Sequence, residues 1–324
     1  MVSVIIPAYN VGPWLGRAIK SMVTQTWPDL EIIVINDGST DNSLDIAMKW
    51  AKADRRVSVH SYPNGGLSAA RNRGLRIANG DYIVFLDGDD WYEPDAIERM
   101  MKERDKHNAD IVISGFSMDY PFGIKFYRPR ARHKIWTGKE AVEAMIMDKG
   151  IQDFSWGKLF KRECFQDLYF PEGRHFEDIY TIYQALIRAE RVVTIPDSLV
   201  HYVQRRGSLT NRMSLARVEE LREAYHTQHD HLEKLLPDDP KIDYSRLYYN
   251  TDMVLIYTLL LYSKRKDHPS FHPDAIDMKK LPLPGLYKWA YEAFLGLACL
   301  KFGWNEEEVL SEPYERQKSS QSGS

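Results

Sequence analysis

The chain has 324 residues, 44% of them hydrophobic, and a formal net charge of −3. That balance describes a globular protein of one large or two ordinary domains and argues against a general nucleic-acid binder. The two cysteines, Cys164 and Cys299, form no CxxC and no Cys/His spacing suited to zinc; they argue against a disulfide framework and suit a reducing compartment.

Met1–Ile6 carries no basic n-region or cleavage site, so no signal peptide is expected. Val2–Ile6 reads as a strand, and the stretch from Asn10 to about Gln25 as a helix. Glu31–Ile35 is a second strand, followed by a helix over Asn42–Ala53 with Ser39, Thr40 and Asp41 as cap formers. Val57–His60 is a short strand, Ser68–Ala78 a helix, Tyr82–Leu86 a strand, Pro94–His107 a charged amphipathic helix and Ile111–Ser114 a further strand. Repeated βα units with unbroken apolar strands imply a mostly parallel sheet covered by helices on both faces.

From Ser117 the pattern loosens. Lys125–Lys134 is basic and contains a proline, Thr137–Met147 reads as a helix, and Ile179–Ala189 places Ile179, Ile182, Tyr183, Leu186 and Ile187 at core-facing helical spacing. Beyond Ser214 the chain reads as helical, with breaks at Pro237–Pro240 and His268–Pro273. The longest apolar run, Met253–Tyr262, falls well short of the ~20 residues of a spanning helix, so a cytoplasmic protein is expected. The expected organisation is one domain over 1–213 in two parts, 1–115 and 116–213, a helical region over 214–318 and a low-complexity tail over 319–324.

In an open parallel sheet, ligands bind beyond the carboxyl ends of the strands. Three polar clusters follow strands there: Pro7-Ala8-Tyr9-Asn10, Asn36-Asp37-Gly38-Ser39 and Asp87-Gly88-Asp89-Asp90. Each alone fits ordinary turn chemistry. The last puts three carboxylates within four residues around a glycine that lets the backbone bend, an arrangement suited to a hard divalent cation. No G-x-G-x-x-G and no G-x-x-x-x-G-K-S/T follows the first strand, so any nucleotide phosphates would be held by a metal rather than by a glycine-rich cradle.

VSVIIPAYN, IIVINDGSTDNS, GGLSAARNRGL and DYIVFLDGDDW, in that order, resemble the nucleotide-sugar-dependent glycosyltransferases of family 2, which have the GT-A fold. Downstream, Trp156–Glu163, Phe176-Glu177-Asp178 and Arg205–Thr210 resemble bacterial members that build capsular, exopolysaccharide or lipid-linked glycans. The resemblance implies an α/β GT-A domain with a helical C-terminal extension and an inverting, metal-assisted transfer from a UDP-sugar. It implies that Pro7, Ala8, Tyr9, Asp37, Asn64 and Arg71 contact the uridine. Asp87 and Asp89 would meet the donor diphosphate and its Mn²⁺ or Mg²⁺, with Gly88 between them on the donor side. Asp178 would be the catalytic base, Arg205 and Ser208 part of a segment closing over the diphosphate, and His201 a further metal ligand.

Each residue also has a plainer reading. Asp178 stands at a helix start, where acidic side chains are favoured regardless of function; Arg71, Lys158 and Arg162 read equally as solvated cations, Trp156 as core and His201 as structural. Leu281–Gly303, with Trp289, Phe294, Leu297 and Phe302, reads either as an interfacial segment reaching a lipid-linked acceptor at the inner face of the membrane or as a packed helix. Lys125–Lys134 reads as a contact for anionic lipid or as a solvated loop. Two other functions stand beside glycosyl transfer: a nucleotidyltransferase that makes nucleotide sugars, which normally carries a glycine-rich basic loop absent from Pro7–Asn10, and a silent glycan-binding or nucleotide-sugar-binding module.

Overall fold

The structure is a computed structural model that describes residues 1–127, 132–205, 214–236, 243–264, 269, 271, 285–305 and 309. It divides into two units, Met1–Ser208 and Leu209–Ser324. In the first, β1 (Val2–Ala8), α1 (Gly12–Val23), β2 (Leu30–Asp37), α2 (Ser43–Ala53), β3 (Val57–Tyr62), α3 (Gly66–Ile77), β4 (Tyr82–Phe85), β5 (Trp91–Tyr92) and α4 (Ala96–His107) follow in order. Next come β6 (Ile111–Asp119), β7 (Lys125–Tyr127), β8 (Lys134–Trp136), α5 (Gly138–Ile146), β9 (Lys158–Lys161), α6 (Glu177–Ile187) and β10 (Val192–Val203).

All the strands form one sheet in the order β3-β2-β1-β4-β9-β6-β10-β5, with β7 on β6 and β8 on β10. Neighbours are parallel across β3-β2-β1-β4, and β6 runs parallel to β10. β9 lies antiparallel between β4 and β6, so the sheet becomes mixed where it leaves the βα repeats. β1 is buried along its whole length, as an apolar strand between helical layers should be. α3 lies close against it: a Cβ on Gly74 would come within 2.3 Å of Ile5 Cγ2. That close approach brings the polar residues of α3 to the carboxyl ends of β1, β2 and β4.

The early elements match the expected ones to within a few residues, while β5, β7, β8, β9 and β10 are strands that periodicity does not announce. Of the three expected cap formers, Asp41 serves the start of α2, its Oδ1 accepting from the Ser43 amide at 2.9 Å. Asn42, the residue before the helix, makes no side-chain cap bond, and Ser39, Thr40 and Asp41 also knit two loops together. Asn10 Oδ1 accepts from the Thr40 amide at 2.8 Å, Asp41 Oδ2 accepts from the Gly12 amide at 3.0 Å, and Asn10 N donates to Ser39 Oγ at 3.2 Å.

The second unit contains α7 (Leu215–Leu235), α8 (Ser245–Tyr262) and α9 (Gly285–Phe302). Its core gathers Val218, Tyr249, Ile256, Leu259, Tyr291, Leu295 and Ala298, around a buried Arg222–Asp252 ion pair at 3.2 Å. α9 therefore packs one face within its own unit, while Trp289, Leu297 and Leu300 remain exposed. Among the described residues no helix is long and apolar enough to cross a membrane. The expected breaks at Pro237–Pro240 and across most of His268–Pro273 lie outside the described residues.

Candidate active site

The acidic turn follows β4 directly. Its glycine is required by packing: a Cβ on Gly88 would lie 2.9 Å from both the Pro7 carbonyl oxygen and Val11 Cγ2, so the turn folds against the end of β1. Three carboxylates in this space repel one another. Burial, and then the Asp87 charge, raise the Asp89 carboxyl above its ordinary range despite Arg205. Burial, then Asp89 and Asp87, raise Asp90 further. Asp90 accepts from the Val203 amide at 2.8 Å through Oδ1, whereas its buried Oδ2 makes no hydrogen bond.

Arg71 rises from α3 into the middle of this group, with a side chain only 1% exposed. Its Nη2 donates to Asp87 Oδ1 at 3.0 Å, and its Nη1 donates to Glu177 Oε1 at 2.5 Å and Asp178 Oδ1 at 3.0 Å. Burial opposes the charge, but Asp178, Asp87 and Glu177 together hold the guanidinium above its ordinary pKa. The ring of Phe170 lies 5.3 Å from the guanidinium carbon. Asn72 fixes that ring's backbone as a neighbouring strand would: its Nδ2 donates to Phe170 O at 2.9 Å, and Phe170 N donates to its Oδ1 at 2.8 Å.

Asp178 stands in the first turn of α6, and Phe176 before it adopts a left-handed backbone, φ 58°. A non-glycine residue there is uncommon and persists where its surroundings over-determine it. The turn aims Glu177 and Asp178 together at Arg71. Asp178 Oδ2 accepts from the Ser155 amide at 3.1 Å and the Ser155 hydroxyl at 3.4 Å. Burial pushes its carboxyl up to about 7, with the Glu177 and Asp87 charges adding to the rise and Arg71 opposing it. Lys158 lies buried beneath, its ammonium donating to the Phe154 carbonyl; burial lowers it to about 8 against the charges of Asp153 and Asp178.

Arg205 caps the other side of the acidic turn, with Nε 2.6 Å from Asp89 Oδ2 and its guanidinium carbon 4.5 Å from the Trp14 ring centre. The structure thus brings Arg71, Asp87, Asp89, Asp178 and Arg205 into one charged assembly of three linked carboxylates and two cations. The acidic turn fits a divalent cation: its donors are all oxygen, they repel one another, and one buried oxygen is unpartnered.

The uridine-side residues divide. Pro7 and Ala8 end β1 and are buried, whereas Tyr9 beyond them is half exposed. Asp37 is buried and already engaged: its carboxylate accepts from the amides of Gly65 and Gly66 at the start of α3 at 2.8–3.1 Å and pairs with Arg73 at 2.6 Å. Asn64 Nδ2 donates to the Asp37 carbonyl at 3.0 Å. Gly38 makes this corner possible, with φ 73° and the Asn64 amide 2.7 Å from where a Cβ would stand. Arg71, which the resemblance places beside the uridine, reaches Asp87, Glu177 and Asp178.

His201 stacks on Trp91 at 3.5 Å. Its Nε2 lies 2.9 Å from Glu93 Oε1 and its Nδ1 3.0 Å from Asp119 Oδ2, so the two carboxylates sit on opposite ring nitrogens rather than converging. Lys125 joins this group, 3.8 Å from Asp119, and is not a freely solvated cation. Trp156 is core, stacked on Phe154 at 4.6 Å. Ser208 lies outside the described residues. Sequence reasoning passed over Ser155 and Tyr92; it counted Asp90 in the acidic turn and Glu177 beside Asp178 without giving either a role of its own. The Tyr92 hydroxyl accepts from the Gly157 amide at 2.7 Å and donates to the Phe85 carbonyl at 3.3 Å, bracing the turn.

Residues 3–169 match the family described as glycosyl transferase family 2. Glycosyltransferase GlyA of Streptococcus pneumoniae serotype 4 is 34% identical over 217 residues, which make up 64% of this chain and 31% of that protein. This chain therefore spans less than a third of that relative's length. S. aureus TarS residues 1–349, crystallised with UDP-GlcNAc, share the fold at a TM-score of 0.59 and 19% identity, over 95% of this chain and 83% of that one. The mannosyltransferase PcManGT from Pyrobaculum calidifontis, solved with GDP-Man and Mn²⁺, aligns at a TM-score of 0.54 and 19% identity, over 96% of this chain and 78% of that one.

Proposed function

Because this chain belongs to glycosyl transferase family 2, we propose that it moves a sugar from a UDP-sugar to a hydroxyl of a glycan or lipid-linked glycan, with inversion at the anomeric carbon. The observation that carries this reading is the Arg71 guanidinium shared by Asp87 and Asp178. One rigid, fully charged side chain holds a donor-side carboxylate and a candidate base at a fixed separation, the pre-organisation that displacement requires.

Asp178 is the base. With its carboxyl near 7 it is substantially ionised at neutral pH yet basic enough to accept a proton from an alcohol, where an ordinary aspartate is a weaker base. Ser155 steadies Oδ2, and Arg71 holds Oδ1. As the acceptor oxygen attacks the anomeric carbon, its proton passes to Asp178, and the sugar–phosphate bond breaks with its electron pair leaving on the diphosphate. A single displacement needs one catalytic carboxylate. Asp87 and Asp89 would hold a Mn²⁺ or Mg²⁺ ion, which supplies positive charge beside the leaving diphosphate. Arg205, on the same turn, contributes a charge-assisted hydrogen bond to that anion once it exchanges Asp89 for phosphate.

TarS with UDP-GlcNAc supports a uridine donor, and PcManGT with Mn²⁺ supports a metal at the acidic turn. The exposed Trp289, Leu297 and Leu300 of α9 support peripheral attachment to a membrane carrying the acceptor. Co-sedimentation with anionic vesicles at low salt, lost on Trp289→Ala/Leu300→Ser, is the expected result for that part.

The test is a panel of UDP- and GDP-sugars assayed with Mn²⁺ or Mg²⁺ and glycan acceptors. Release of UDP with a glycoside of inverted configuration is expected. Pyrophosphate release from a nucleoside triphosphate, or donor binding without turnover, would replace the reading with a nucleotidyltransferase or a binding module.

A further inference from the structure

One group of side chains away from the acidic turn has the composition of a transition-metal site. Glu103 and His107 stand one turn apart on α4 and so share a face of that helix. His133 comes from the residue before β8, 26 positions beyond His107 in sequence. His133 Nε2 lies 2.8 Å from Glu103 Oε2, and His107 Nε2 lies 3.3 Å from the same oxygen. The three candidate donor atoms all lie within 4.8 Å of one another. A tetrahedral ion with bonds of about 2.0–2.1 Å holds its ligand atoms roughly 3.3–3.5 Å apart, so side-chain torsions alone can bring these three onto one centre.

Two further observations point to a ligand. His107 Nε2 is buried yet makes no hydrogen bond, although a carboxylate oxygen is close by. A buried ring nitrogen in that state is costly, and coordination would satisfy it. The backbone on both sides of the cluster is also fixed. The Thr194 hydroxyl donates to the Arg132 carbonyl at 2.8 Å, and Lys134 is in register with Thr194 of β10. On the helix side, Arg191 Nη1 donates to the His107 carbonyl at 2.6 Å. The three ligands therefore project from anchored backbone rather than from a loose loop. Lys106 is mostly exposed and approaches Glu103 only to 4.0 Å.

We propose that Glu103, His107 and His133 bind one divalent transition-metal ion of the zinc type, with water in the fourth position. Two imidazole nitrogens and one carboxylate oxygen suit a borderline ion of this kind, whereas the all-oxygen acidic turn suits Mg²⁺ or Mn²⁺. The two sites are thus separated by ligand chemistry. The ion would staple the C-terminal half of α4 to the start of β8. The proposal does not depend on the sugar-transfer reading.

The test is a Zn²⁺ titration of the full chain without nucleotide, in competition with a chromophoric chelator. One tight equivalent is expected, retained in Asp89→Asn. His133→Ala, His107→Ala and Glu103→Gln should each weaken it by more than the ~10–100-fold that indirect changes around a metal cost. Added Zn²⁺ should raise the Tm of the wild-type chain and not that of His133→Ala, whose circular dichroism in chelator should match wild type because the side chain is 41% exposed and outside the core. Absence of a tight equivalent in the wild type, an equivalent that survives in His133→Ala and His107→Ala, or one that disappears in Asp89→Asn would each overturn the proposal.

Discussion

Asp37 and Asp178 are both paired with arginines of α3, Arg73 in one case and Arg71 in the other, yet their surroundings differ in kind. Around Asp37 the remaining partners are backbone amides, those of Gly65 and Gly66, and the neighbouring loops are tied by Asn10, Ser39 and Asp41 to further amides. Around Asp178 one amide, that of Ser155, and its hydroxyl reach Oδ2, and the other neighbours are ionisable groups, Glu177 and Asp87 across Arg71, with Lys158 beneath. A carboxylate satisfied by amides helps to build the loop corner in which it sits. A carboxylate crowded by like charge and kept from water retains a proton affinity that can be used in chemistry.

The comparison is most sharply tested by removing each carboxylate in turn. Asp178→Asn is expected to slow transfer by ~10²–10⁴-fold while donor affinity changes little, measured by turnover and by UDP-sugar titration. Arg71→Met should be the most damaging change to the fold, about 3–5 kcal/mol by chemical denaturation, because it leaves Asp87, Glu177 and Asp178 close together without their shared cation. Adding Glu177→Gln should recover part of that loss. Asp37→Asn is expected to cost ~1–3 kcal/mol by the same measurement through the amides of Gly65 and Gly66, with a smaller fall in turnover than Asp178→Asn. If Asp37→Asn instead abolished turnover without destabilising the chain, the contrast between the two aspartates would be lost.

A subtler difference is expected in the pH dependence of stability. The folded chain raises the Asp178 carboxyl from its ordinary 3.8 to about 7, so it binds that proton more tightly than the unfolded chain does. The stabilisation tied to that proton is complete below pH 4 and is lost as pH rises through 7. The Tm difference between Asp178→Asn and wild type should therefore shift in favour of the variant between pH 4 and pH 7.

Much of the sheet was legible because β1, β2 and β4 are unbroken apolar runs followed by turn residues. β10 was not, because its pairing with β6 is irregular around Ile195-Pro196-Asp197, which breaks the alternation that marks a strand. β9 spans four residues, two of them lysines, and acquires its strand geometry only by filling the gap between β4 and β6. The acidic turn was visible from spacing alone. The contact between Arg71 and Asp178 joins residues 107 positions apart, and no local pattern announces it. Glu103 and His107 likewise read as part of a solvated helix face until β8 brings His133 beside them.

The central claim is that Asp178, held by Arg71 against the acidic turn, is the base. The pH dependence of single-turnover transfer at saturating donor, acceptor and divalent ion tests it most directly. The rate is predicted to rise tenfold per unit at low pH and level off near pH 7, with that limb absent from the residual activity of Asp178→Asn. A wild-type rate that is flat from pH 5 to pH 8, or an unchanged limb in Asp178→Asn, would contradict it.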